Sequence, residues 1–81
     1  MELKEFAEYL VKAVVKEPDM VKVSQFGGED DATILEVIVH EDDKGIVVGR
    51  NGKMVNSIRT LVQASSALHD NKYVKIDIDK F

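Results

Sequence analysis

The chain has 81 residues, is 44% hydrophobic and 32% charged, and carries a net charge of −4. That size and balance describe one folded domain, 1–81, and not a disordered segment. The absence of cysteine excludes disulfides and thiolate chemistry, and no apolar run nears the roughly 20 residues that span a bilayer.

Residues 3–15 place Leu3, Phe6, Ala7, Leu10, Val11, Val14 and Val15 at helical spacing, with Glu2, Glu5, Glu8 and Lys12 outside. This charged start, "MELKE", is unlike a signal peptide and points to the cytoplasm. Pro18 disfavours helix at Glu17 and ends the element. Residues 20–26 are β-rich, and Gly27, Gly28, Glu29, Asp30 and Asp31 form a hairpin loop. Residues 33–40 are the next strand, with Leu35, Val37 and Val39 on one face and Ile34, Glu36, Ile38 and His40 on the other.

Asp42 or Asp43 is placed to cap a short helix starting near Lys44. That helix must break at Gly49–Gly52. A longer helix follows over 53–68, with Met54, Val55, Ile58, Leu61, Val62 and Leu68 as its apolar stripe. Asp70 and Asn71 supply a turn, and 73–79 is the last strand, with Val74, Ile76 and Ile78 inward. The order is α-β-β-α-α-β, an α+β fold. The hairpin makes the first two strands antiparallel. The helical crossover makes the last strand parallel to 33–40. A three-stranded mixed sheet with helices packed on one face and the other face solvated results.

Charge is unevenly placed. Lys44 to His69 contains no Asp or Glu and holds Lys44, Arg50, Lys53 and Arg59. The other residues, with 7 Lys/Arg against 15 Asp/Glu, carry −8. Within the acid-free stretch, "GIVVGRNGKMV" packs Gly45, Gly49 and Gly52 into eight residues. Glycines between two helices allow a reversal with positive φ and expose backbone N–H groups. The loop also feeds a helix N-terminus, whose unpaired N–H donors favour anions. Arg50 and Lys53 add charge and Asn51 a neutral donor. The loop is therefore suited to phosphate, although a plain helix–helix turn with solvated charges has the same composition.

Two nucleotide motifs fail. A Walker loop ending at Gly52-Lys53 needs glycine where Val47 stands and a hydroxyl where Met54 stands. A Gly-x-Gly-x-x-Gly fingerprint also needs glycine at Val47 and a preceding strand. A nucleic-acid backbone remains as the phosphate source.

Here the sequence resembles a known family. "GIVVGRNGKMV" is similar to the Ile/Val-Ile/Val-Gly-x-x-Gly signature of KH domains, and the element order resembles their type II arrangement. The whole chain, and "DDKGIVVGRNGKMVNSIRTLVQAS" above all, looks like the KhpA family of small bacterial RNA-binding proteins. The resemblance implies a non-catalytic protein that clamps about four nucleotides of single-stranded RNA or DNA, with RNA as the family's ligand. It implies that Gly49, Arg50, Asn51 and Gly52 hold the backbone, that Gly45 allows close approach, and that Lys44 and Lys53 attract phosphates. Val48, Val55 and Ile38 would form the floor under the bases. It further implies an RNA chaperone or post-transcriptional regulator, acting as a homodimer or beside a second KH protein of the KhpB family. No cofactor and no metal are implied. A protein–protein adaptor with a secondary RNA groove is the alternative.

Other residues read as structural. His40, Glu41, Asp42 and Asp43 are a strand end and helix cap. His69 suits a helix C-terminus. Ser57, Ser65 and Ser66 lack a nucleophile's partners. Tyr73 reads as a sheet-surface aromatic, with the flank of a binding surface as the alternative, and Lys72, Lys75 and Lys80 lie among Asp70, Asp77 and Asp79 on a solvated edge. Arg59 is structural or interfacial. The groove offers no evident aromatic, so base stacking is not expected.

Overall fold

The structure, a computed structural model, describes residues 2–69 and 72–81. Helix α1 spans Leu3–Val14 and strand β1 Lys22–Gly27. Strand β2 spans Thr33–Val39, helix α2 Lys44–Val48, helix α3 Lys53–His69 and strand β3 Val74–Lys80. The expected turn at Asp70 and Asn71 lies outside the described residues.

The sheet has the order β1-β2-β3, with β1 antiparallel and β2–β3 parallel, as the hairpin and crossover require. Thr33 N–H donates to Tyr73 O (2.9 Å) and Phe81 N–H to Val39 O (3.0 Å), framing the parallel ladder. Odd-numbered β2 residues Leu35, Val37 and Val39 are fully buried and meet Val23, Val74 and Ile76 in the core. Even-numbered Ile34, Glu36 and Ile38 lie on the opposite face, which the helices leave uncovered. Helix α1 contributes buried Ala7 and Val11, with Leu3, Phe6, Leu10 and Val14 half-buried beside them. Each fully buried aliphatic side chain contributes roughly 1.5–3 kcal/mol.

Four features correct or add to these expectations. Strand β1 starts at Lys22 and not Met20, because Pro18–Met20 forms one 3-10 turn closed by Val21 N–H on Pro18 O (3.2 Å). In the hairpin loop, the left-handed residues are Asp30 (φ 56) and Asp31 (φ 61). Aspartate tolerates that region better than most side chains.

The third concerns α3. Its buried stripe is Val55, Ile58, Val62 and Ser66, while Leu61 is 50% exposed and Leu68 83% exposed. At 3.6 residues per turn, positions 55, 58, 62 and 66 share one arc. Positions 61 and 68 project from the far side. Ser66 is accepted inside because its hydroxyl donates to Lys72 O at 2.8 Å.

The fourth concerns the cap. Asp43 occupies the N-cap position of α2 but makes no side-chain cap bond there. Its buried carboxylate instead accepts from Lys16 N–H (3.2 Å) and Glu17 N–H (2.9 Å). Asp43 thus ties the α1–β1 connection to the start of α2. His40 Nδ1 takes the local role, accepting from Asp42 N–H at 3.1 Å.

Candidate nucleic-acid interface

Helix α2 is only five residues long and is stopped by Gly49. Gly49 adopts φ 77, ψ 174, a conformation close to glycine-only, and its N–H donates to Gly45 O at 2.9 Å. Arg50 is helical, Asn51 is left-handed (φ 56, ψ 29), and Gly52 again has positive φ (75). Gly52 N–H returns to Gly49 O at 3.2 Å, and α3 begins at Lys53. Three of the four loop residues therefore have positive φ. A helical residue followed by a left-handed one turns successive N–H groups toward a common concavity, the arrangement that binds anions. The loop also delivers its concavity to the N-terminus of a 17-residue helix.

The side chains around this loop are free to meet a ligand. Arg50, Asn51 and Lys53 are exposed, and among the described residues neither Arg50 nor Lys53 makes a salt bridge. Gly45 is exposed, and a Cβ built on it would meet nothing within 4 Å. Internal packing therefore gives no reason for glycine there. Lys44 Nζ lies 3.8 Å from Asp79 Oδ1, so this cation is partly neutralised by β3. Val48 is half-buried and Val55 is 5% exposed, one on each side of the loop. Ile38 is not brought to this site, because it lies on the helix-free face of the sheet.

A polar row on α3 escaped the sequence reading. Gly52 faces Asn56, whose Oδ1 accepts from Arg59 Nη1 (3.2 Å). Arg59 Nη2 donates to Ile76 O (3.0 Å). One turn on, Gln63 Oε1 accepts from Val74 N–H (2.8 Å) and its Nε2 donates to Lys72 O (2.9 Å). Arg59 and Gln63 thus satisfy outward backbone groups of β3, an edge strand that otherwise presents unpaired donors and acceptors. The signal was present as the spacing 56, 59, 63, one arc beside the apolar stripe. His69 Nδ1 sits 2.9 Å from Ser65 O, close to the helix end as expected.

Among the described residues, no helix is long and apolar enough to cross a membrane. Also among them, no group of three or more His, Cys, Asp or Glu could hold a metal ion.

Comparison with known proteins identifies the family and the fold. The family described as KhpA/KhpB, KH domain, matches residues 4–78. The RNA-binding protein KhpA of Clostridium perfringens is 38% identical over 76 residues, covering 94% of this chain and 99% of that protein. RNA-binding protein KhpA of Borreliella burgdorferi is 39% identical over 74 residues, covering 91% of this chain and 88% of that one. The Thermotoga maritima KhpA is 32% identical over 76 residues, covering 94% and 97%. Among solved structures, Aquifex aeolicus Era bound to GDP·AlF4⁻ superposes with a TM-score of 0.73 at 19% identity. The match covers 98% of this chain but 30% of Era. Era in complex with MgGDPNP and nucleotides 1506–1542 of 16S ribosomal RNA gives a TM-score of 0.68, also at 19% identity, over 96% and 29%. This chain spans about a third of Era, and at that identity the likeness concerns the fold.

Proposed function

The chain belongs to the KhpA/KhpB KH-domain family, and from that premise we propose that it binds single-stranded RNA without catalysing a reaction on it. The observation that carries this reading is the Gly49–Gly52 loop. The Gly49 and Gly52 N–H groups close its reversal internally, which leaves the amides of Arg50 and Asn51 to meet a phosphate at the head of α3, inside the one long segment without a carboxylate. Supporting it, the relatives with which it aligns over most of their length are named RNA-binding proteins.

In this reading, phosphates sit over Gly49, Arg50, Asn51 and Gly52, with Lys53 and Lys44 supplying charge at the rim. The bare surface of Gly45 lets the strand lie close to α2. Val48 and Val55 support the bases. With two to four phosphates engaged, the logarithm of affinity falls with the logarithm of salt by roughly 0.7 per phosphate. A single module of this kind in an acidic domain grips weakly. Association with a second copy, or with a second KH protein of the KhpB type, raises avidity. The exposed Leu61 and Leu68, one above the other on α3, support an interface there. The role assigned is that of a cytoplasmic RNA chaperone or post-transcriptional regulator.

The test changes Arg50 and Asn51 together to Asp and measures binding of labelled single-stranded RNA, with circular dichroism as the fold control. The expected result is a folded protein with binding reduced more than tenfold. Undiminished binding by the folded double variant would remove the loop from the site.

A further inference from the structure

Tyr73 does not stand on the sheet surface. It forms one wall of a groove whose other wall is α3, through Thr60, Ala64 and Ala67. The residue is 68% exposed. Its backbone, in contrast, is pinned on both sides. Tyr73 O accepts from Thr33 N–H at 2.9 Å, and the next amide, Val74 N–H, donates to Gln63 Oε1 at 2.8 Å. An aromatic on a fixed backbone loses little freedom when something stacks on it.

The groove lies further along α3 than the loop, its nearest lining residue being Arg59. From Gly52 the row Asn56, Arg59, Gln63 leads along α3 to the level of Tyr73, about 16 Å at 1.5 Å per residue. Among its described lining residues there is one cation, Arg59, and no carboxylate. Its α3 wall is built from small side chains that leave space for a flat ring. A polyanion with planar bases suits these features better than an acidic or aliphatic protein surface does. The exposed Leu61 and Leu68 belong to a different arc of α3 and are not part of the groove.

We propose that Tyr73 is a base-stacking platform at the far end of the RNA path, beyond the nucleotides held at Gly49–Gly52. A base of the bound strand lies on the Tyr73 ring and against Ala64 and Ala67, while Arg59 faces the intervening backbone. This rests on the reading of the loop as an RNA clamp. It adds a stacking contact that the sequence did not suggest, and it makes affinity depend on RNA length.

The experiment uses oligouridines of four and ten nucleotides with the wild type, Tyr73→Ala, Tyr73→Phe and the Arg50→Asp/Asn51→Asp double variant. Tyr73→Ala is expected to weaken the decamer roughly tenfold, the scale of losing one stacked base. The loss for the tetramer is expected to be smaller. Tyr73→Phe is expected to retain decamer binding. In a Tyr9→Phe background Tyr73 is the only tyrosine and there is no tryptophan, so its fluorescence should be quenched by the decamer. Circular dichroism and sedimentation accompany each variant. Decamer binding unchanged in Tyr73→Ala, with binding lost in the loop variant, would overturn the platform and leave the clamp standing. Decamer binding unchanged in the loop variant would overturn the clamp, and the platform with it. A change in sedimentation of Tyr73→Ala with intact RNA affinity would also overturn the proposal and assign the groove to protein contact.

Discussion

Gly49 and Met54 approach so closely that a Cβ on Gly49 would lie 2.6 Å from Met54 Cβ and 2.7 Å from Met54 N. The chain reverses within four residues, so the end of α2 is pressed against the first turn of α3. Gly49→Ala combines this clash with a glycine-only backbone conformation and is expected to cost about 2–4 kcal/mol. Gly52 also has positive φ, but its added Cβ would make an ordinary 3.6 Å contact with Asn56 Nδ2. Gly52→Ala should cost about 1–2 kcal/mol. Denaturant unfolding of the two variants checks the order.

Gly45 separates stability from binding. It sits inside α2 with open space where a side chain would be. Gly45→Ala should therefore stabilise the fold, by about 0.5–1 kcal/mol. A larger residue, as in Gly45→Gln, should keep the fold but push the RNA strand away. Melting temperature and RNA affinity are expected to move in opposite directions for Gly45→Gln. If both fall together, Gly45 has a packing role instead.

Asp43 is 1% exposed and holds the amides of Lys16 and Glu17, 27 and 26 residues away. Asp43→Ala would leave two donors without their acceptor at a cost of about 2–4 kcal/mol. Asp43→Asn keeps one oxygen acceptor in the same shape and should cost less. Hydrogen exchange at Lys16 and Glu17 would identify the cause, with protection lost in the Ala variant and partly retained in the Asn variant.

Lys44 and Asp79 form an exposed pair at 3.8 Å, worth little to stability. Asp79→Asn should leave unfolding unchanged within about 0.5 kcal/mol. It should nonetheless strengthen RNA binding a few-fold at low salt, because Lys44 is released toward phosphate and a carboxylate near the strand is gone. Raising the salt should erase the gain. An equal gain at high salt would argue against an electrostatic origin.

Leu61 and Leu68 give a test of self-association. Both are exposed, so Leu61→Gln with Leu68→Gln should change monomer stability by less than about 1 kcal/mol. Sedimentation should shift toward monomer if this face holds a second copy. RNA affinity per site should persist for short oligonucleotides and fall for long ones, where avidity counts.

The element order and strand directions were legible because they follow from local pattern: period-3.6 and period-2 hydrophobicity, one proline, one glycine-rich loop and one crossover. The loop at Gly49–Gly52 was legible for the same reason, since its glycines and its missing carboxylates are sequence facts. The buried partner of Asp43, the edge-covering bonds of Arg59 and Gln63, and the groove beneath Tyr73 were not. Each joins residues from different elements, and a capping aspartate, a surface arginine and a strand-start tyrosine look the same in sequence whether or not they meet a partner. Leu61 and Leu68 make the converse case, apolar residues that packing left outside because the core arc of α3 was already taken by Val55, Ile58, Val62 and Ser66. The sequence by itself determined which segments fold and where the chain must reverse between α2 and α3, because those depend on local hydrophobic period and on glycine. Only the tertiary structure decided which side chains share a groove, because that depends on the angle and register at which α3 lies along β3.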